Sequence, residues 1–165
     1  MLKASVAVSK QPLLGFEANS TYRYLSQSVS FASAVMSPNR LSNLTIVVVE
    51  DHDDARTSLG LFLEHLGANV VLASNAFEGI EAVTNRRPNL VLSDISMPDR
   101  DGFDFLRDVL ALGPDAGGSV PIIAMTALVS RRDRTRMVDK GFRACLPKPF
   151  TVDELLETIL TVIND

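Results

Sequence analysis

Cysteine is almost missing from this chain: Cys145 is the only one in 165 residues. That excludes an internal disulfide framework and fits a reducing compartment. No apolar run approaches the roughly 18 residues that cross a bilayer. Neither a transmembrane helix nor a membrane partner is therefore expected, and a cytoplasmic location is. Basic charge is scarce after the first 40 residues, which hold Lys3, Lys10, Arg23 and Arg40 against Glu17, a net of +3. The remaining 125 residues carry 12 basic and 19 acidic side chains, so bulk charge argues against nucleic acid as a partner. No G-x-G-x-x-G follows the first strand pattern either, which counts against a dinucleotide-binding enzyme.

What is present suits one packed domain with an appendage, since 46% of the residues are hydrophobic and 22% charged. Residues 1–43 read as a disordered or weakly ordered extension. Eight serines fall within the first 40 residues, without apolar periodicity. The segment has neither the continuous apolar run of a signal peptide nor the arginine of a transit peptide. Met36, just before the first strand pattern, is an alternative start.

From 44 to 165 the pattern is regular. Thr45 to Val49 is a β-branched run, and Ala55, Leu59, Phe62, Leu63 and Leu66 then recur at helical spacing up to Gly67. The alternation repeats, with strands expected at 70–73, 90–93, 120–125 and 143–146, and helices at about 75–85, 102–112, 129–140 and 152–163. Thr151 to Glu154 supplies a capping box for the last helix. Five such units with nearly all-apolar strands predict an α/β, doubly wound, five-stranded parallel sheet of flavodoxin-like order 2-1-3-4-5.

Ligands in such sheets bind beyond the carboxyl ends of the strands. Glu50 and Asp51 follow the first strand and Asp94 the third. Three carboxylates in one crevice repel one another unless a cation neutralises them, and hard oxygen donors favour Mg2+ over zinc. Helix capping is the competing role for such acids. Thr126 ends the fourth strand, and Lys148 stands between Pro147 and Pro149 after the fifth. A hydroxyl and an ammonium joined to carboxylates and a metal make a phosphoryl-binding site.

Four segments carry a resemblance: Val47-Val48-Val49-Glu50-Asp51, Leu92-Ser93-Asp94-Ile95-Ser96-Met97-Pro98 through Asp101-Gly102, Pro121-Ile122-Ile123-Ala124-Met125-Thr126-Ala127, and Lys148-Pro149-Phe150. In order and spacing, residues 44–164 resemble the receiver domains of two-component response regulators. The resemblance implies that Asp94 accepts a phosphoryl group from a phosphohistidine on a histidine kinase or histidine phosphotransfer protein. It implies that Asp51, Asp94 and the Ser96 carbonyl ligate Mg2+, with Glu50 acting through water, and that Lys148 and the Thr126 hydroxyl meet the phosphoryl oxygens. The Lys148–Pro149 bond resembles one that is cis in the family. Self-phosphorylation and self-dephosphorylation would be the only chemistry, so no other enzyme activity is expected.

Departures from the family pattern bear on the switch and on the lifetime of the phosphoryl group. An aromatic switch residue commonly lies three positions before the lysine; here it is Cys145, read as a small buried hydrophobe. Ser96 and Leu128 occupy positions that line the path of attacking water, and Leu128 cannot orient water, so slow self-dephosphorylation is expected. A dehalogenase-like phosphatase would want an acid at Ser96. His52 and His65 read as structural or solvent-facing. Asp53, Asp54, Asp99, Asp101 and Asp104 read as caps and solvated acids. Arg131, Arg132, Arg134 and Arg136 form either a solvated face or a docking patch.

With the sequence ending at Asp165, the expected output is that of a single receiver module switching protein–protein interactions toward an unidentified target. The alternatives are a phosphorylation-independent interaction module and a receiver working in trans with a hybrid histidine kinase.

Overall fold

The computed structural model describes residues 39–127 and 130–165. Five strands alternate with five helices: β1 (Thr45–Val49), α1 (Asp53–His65), β2 (Asn69–Ala73), α2 (Ala76–Arg86), β3 (Leu90–Asp94), α3 (Gly102–Ala111), β4 (Ile122–Thr126), α4 (Arg131–Lys140), β5 (Ala144–Pro147) and α5 (Val152–Asn164). All neighbouring strands pair in parallel, in the order β2-β1-β3-β4-β5. This is the doubly wound, flavodoxin-like arrangement expected from the alternating pattern.

Side-chain alternation along each strand divides the core into two layers. On one face Val47, Val49, Val91, Ile122 and Ala124 pack with Val83 of α2, Phe105 and Val109 of α3 and Met137 of α4. On the other, Ile46, Val48, Leu90, Leu92, Ile123 and Met125 pack with Leu63 of α1 and with Leu155, Leu156 and Ile159 of α5. Both layers leave the carboxyl ends of β1 and β3 side by side at the middle of the sheet, where the order reverses. Edge strand β2 is less covered, with Leu72 44% exposed. Before β1, Leu41 is fully buried and its N–H donates to the Leu66 carbonyl at 2.9 Å.

Most boundaries of the expected ranges are met to within one residue, and two starts differ by two residues for local reasons. Strand β4 starts at Ile122, not Val120, because the Val120 N–H is turned back to the Gly117 carbonyl at 3.1 Å. That turn follows a 3-10 segment, Pro114–Ala116, which the periodicity did not signal. Helix α4 begins at Arg131 because Ser130 is its N-cap, its hydroxyl accepting from the Asp133 N–H at 3.1 Å. The capping box at α5 is present as expected, Thr151 and Glu154 each accepting from the other's backbone N–H.

Candidate functional site

Each expected site residue lies at the carboxyl edge of the sheet. Glu50 follows β1 directly and is buried, Asp51 is half-buried beside it, and Asp94 closes β3 at 4% exposure. Thr126 ends β4 and is buried, while Ser96 lies exposed in the loop after β3. Glu50 and Asp51 do not cap α1: its N-cap residue is His52, which makes no side-chain cap bond. Capping does account for Asp101, whose carboxylate accepts from the N–H groups of Phe103 and Asp104 at 2.9 Å each.

Lys148 joins the two sides of the crevice. Its Nζ donates to Glu50 Oε2 at 2.7 Å and to Asp94 Oδ1 at 2.8 Å. The backbone aims it: β5 ends at Pro147, the Lys148 N–H donates to the Thr126 carbonyl at 2.6 Å, and the Lys148–Pro149 peptide is cis. Burial works against the charged lysine, but the hydrogen bonds and charges of Asp94 and Glu50 outweigh it and raise the pKa above the ordinary lysine value. The ammonium is therefore a fixed positive charge between two buried carboxylates.

The loop from β3 to α3 holds Asp94 in place. A Cβ on Gly102 would stand 2.6 Å from the Asp94 carbonyl oxygen and 2.9 Å from Ile95 Cα. Glycine is thus required for α3 to start against the backbone of the site. Within the same loop Asp99 adopts φ +60°, the left-handed region that an aspartate tolerates better than most residues.

The contacts of two residues at the site were not expected from the sequence. Arg56, one turn into α1, donates from Nη1 to the Glu50 carbonyl at 2.8 Å and to the Asp51 carbonyl at 3.4 Å, and pairs with Asp53. Only its helical position could have hinted at this, since a polar residue there also suits solvent. His52 is solvent-facing as expected, its side chain 75% exposed, yet Nδ1 lies 3.1 Å from Asp51 Oδ1 and 3.4 Å from Glu50 Oε1. The hydrogen bond and charge of Asp51, followed by the charge of Glu50, raise the imidazole pKa. His65 is exposed at the far end of α1.

Glu50, Asp51 and His52 offer ligand atoms that all lie within 4.8 Å of one another. Asp94 is not in that compact set; it is linked to it through Lys148. Three carboxylates against one ammonium leave two negative charges in a partly dry crevice, which suits a divalent cation.

Cys145 is half-buried rather than buried, against the α2–α4 side of the core, and burial raises its thiol pKa. Leu128 lies outside the described residues, as does the side chain of Arg131. Arg132, Arg134 and Arg136 are exposed.

The family model for the response regulator receiver domain matches residues 46–160. Response regulator MprA of Mycobacterium sp. (strain KMS) is 37% identical over 119 residues, 72% of this chain and 50% of MprA. The chain thus spans about half the length of the MprA proteins it matches. An "Uncharacterized 14.6 kDa protein in sodA1 3'region" of Leptolyngbya boryana is 36% identical over 119 residues, 72% of this chain and 89% of that protein. Among solved structures, the receiver domain of sensor histidine kinase PA1611 from Pseudomonas aeruginosa PAO1 has a magnesium ion coordinated in its active-site cleft. It matches with a TM-score of 0.66 at 29% identity, over 75% of this chain and 100% of that one. The chemotaxis protein CheY4 of Vibrio cholerae matches with a TM-score of 0.66 at 24% identity, over 74% of this chain and 98% of that one, a likeness of fold alone.

Proposed function

This chain belongs to the response regulator receiver domain family, and on that premise we propose that it is a phosphoacceptor that takes a phosphoryl group onto Asp94 from a partner's phosphohistidine and thereby switches a protein–protein interaction. The observation that carries the reading is the placement of Asp94. Its carboxylate is buried at the switch point of the sheet and held by the Lys148 ammonium at 2.8 Å, beside Glu50 and Asp51. The donor is proposed to be a histidine kinase or a histidine phosphotransfer protein, and the cation Mg2+, held by Asp51, Asp94 and the Ser96 carbonyl, with Glu50 acting through water.

Phosphoryl transfer needs positioning and charge neutralisation more than covalent help. One Asp94 carboxylate oxygen forms a bond to phosphorus as the P–N bond to the donor imidazole breaks, and the electron pair stays on that nitrogen. A divalent cation, when bound, offsets negative charge on the phosphoryl oxygens. Lys148 exchanges its bond to Asp94 for one to those oxygens, and the Thr126 hydroxyl closes on them from β4. The phosphoryl group carries close to two negative charges where the Asp94 carboxylate carried one, a net gain of about one beside Thr126, and this draws the β4–α4 loop toward the site. With half-buried Cys145 where relatives commonly carry an aromatic, the signal is proposed to leave through that loop and α4. The protein then acts as a signal transducer, and turns over nothing but its own phosphoryl group.

Intact mass after incubation with Mg2+ and acetyl phosphate tests this. One phosphoryl group should be gained, and none by Asp94→Asn or in excess EDTA. No gain, or a gain that survives Asp94→Asn, would overturn the assignment.

A further inference from the structure

The phosphoacceptor reading leaves His52 without a task. Its side chain does not cap α1, although it occupies the N-cap position. Instead Nδ1 stands 3.1 Å from Asp51 Oδ1 and 3.4 Å from Glu50 Oε1, at the solvent mouth of the carboxylate site. Adjacent ligands of an octahedral ion bonded at about 2.1 Å are about 3.0 Å apart. The 3.1 Å separation from Asp51, the direct ligand of the pair, is close to that of neighbouring ligands on one ion. The backbone that carries all three residues is braced, since Arg56 Nη1 binds the Glu50 carbonyl at 2.8 Å and the Asp51 carbonyl at 3.4 Å.

We propose that His52 Nδ1 is a further ligand of the divalent-cation site and shifts its preference from Mg2+ toward first-row transition ions. The proposal rests on the receiver reading, which makes these acids the cation site. An imidazole adds little for Mg2+, which keeps its water and prefers oxygen, whereas it suits the later first-row divalent ions. Its 75% exposed position leaves room for the remaining vertices to be filled by water.

The test is calorimetric titration of the full chain with Mg2+ and with Ni2+, repeated on His52→Ala and on His65→Ala as a control for binding at an exposed histidine. The ratio of Ni2+ to Mg2+ affinity should fall about tenfold or more in His52→Ala, since losing even an outer-shell partner of a metal site costs about 10–100-fold, and stay unchanged in His65→Ala. A fall of less than about threefold, or an equal fall in His65→Ala, would overturn the proposal. Electron spin-echo modulation of bound Mn2+ gives a second readout: 14N coupling should be present in the unmodified chain and lost in His52→Ala. Its absence from the unmodified chain would also defeat the idea. Thermal melting by circular dichroism checks that the variants fold. Mg2+-dependent phosphoryl uptake by the unmodified chain reads the receiver assignment separately, so the two claims fail on different data.

Discussion

Replacing Lys148 by methionine isolates the central electrostatic feature. The ammonium stands 2.7 Å from Glu50 Oε2 and 2.8 Å from Asp94 Oδ1, and the two carboxylate side chains are only 3% and 6% exposed. Each contact is worth up to about 6 kcal/mol at an effective dielectric constant of 20, but desolvation of all three groups cancels much of it. Removing one member of a buried pair costs about 3–5 kcal/mol, and of an exposed pair about 0–1. With its side chain 22% exposed, Lys148 falls nearer the buried case, and screening by solvent lowers the figure to about 2–4 kcal/mol. Divided by a urea slope of about 2 kcal/mol per molar, this moves the unfolding midpoint down by about 1–2 M. Urea titration in EDTA, followed by circular dichroism, measures it. Adding Glu50→Gln to Lys148→Met removes one orphaned carboxylate and should recover part of the loss, as should Mg2+. A midpoint shift below about 0.3 M, or a double variant less stable than Lys148→Met, would refute the reasoning.

Gly102→Ala forces a methyl group against the Asp94 carbonyl, 2.6 Å away, and should cost about 1–3 kcal/mol in urea while reducing phosphoryl uptake at Asp94. Glu78 accepts from the Ser74 N–H at 2.7 Å and hydroxyl at 2.9 Å, chiefly the former, which lowers its carboxyl pKa. That stabilisation is present above the unfolded value of about 4.3 and is lost as pH falls through the lower folded value. The stability gap between the wild-type chain and Glu78→Gln should accordingly be seen at pH 7 and close under acid. Burial raises the Cys145 thiol, so iodoacetamide at pH 8 should alkylate the folded chain much more slowly than the chain in urea, as mass spectrometry would show.

Element type and order were legible in the sequence because they rest on local periodicity. The run from Thr45 to Val49 and the stripe of Leu155, Leu156 and Ile159 can be buried in only one way. Acids, a hydroxyl and a lysine at strand ends also located the candidate site, since parallel strands present their carboxyl ends along a single edge. Contacts between distant segments were not legible. Lys148 reaches Glu50 across 98 residues and Asp94 across 54, and no spacing rule says which carboxylates an ammonium will meet. Arg56 on the Glu50 and Asp51 carbonyls, His52 beside those carboxylates and Gly102 against Asp94 belong to the same class. The sequence by itself determined which residues can carry charge at the crevice and on which strands they stand. Only the tertiary structure decided their partners, because a partner is set by where helices and loops cross the end of the sheet rather than by position along the chain.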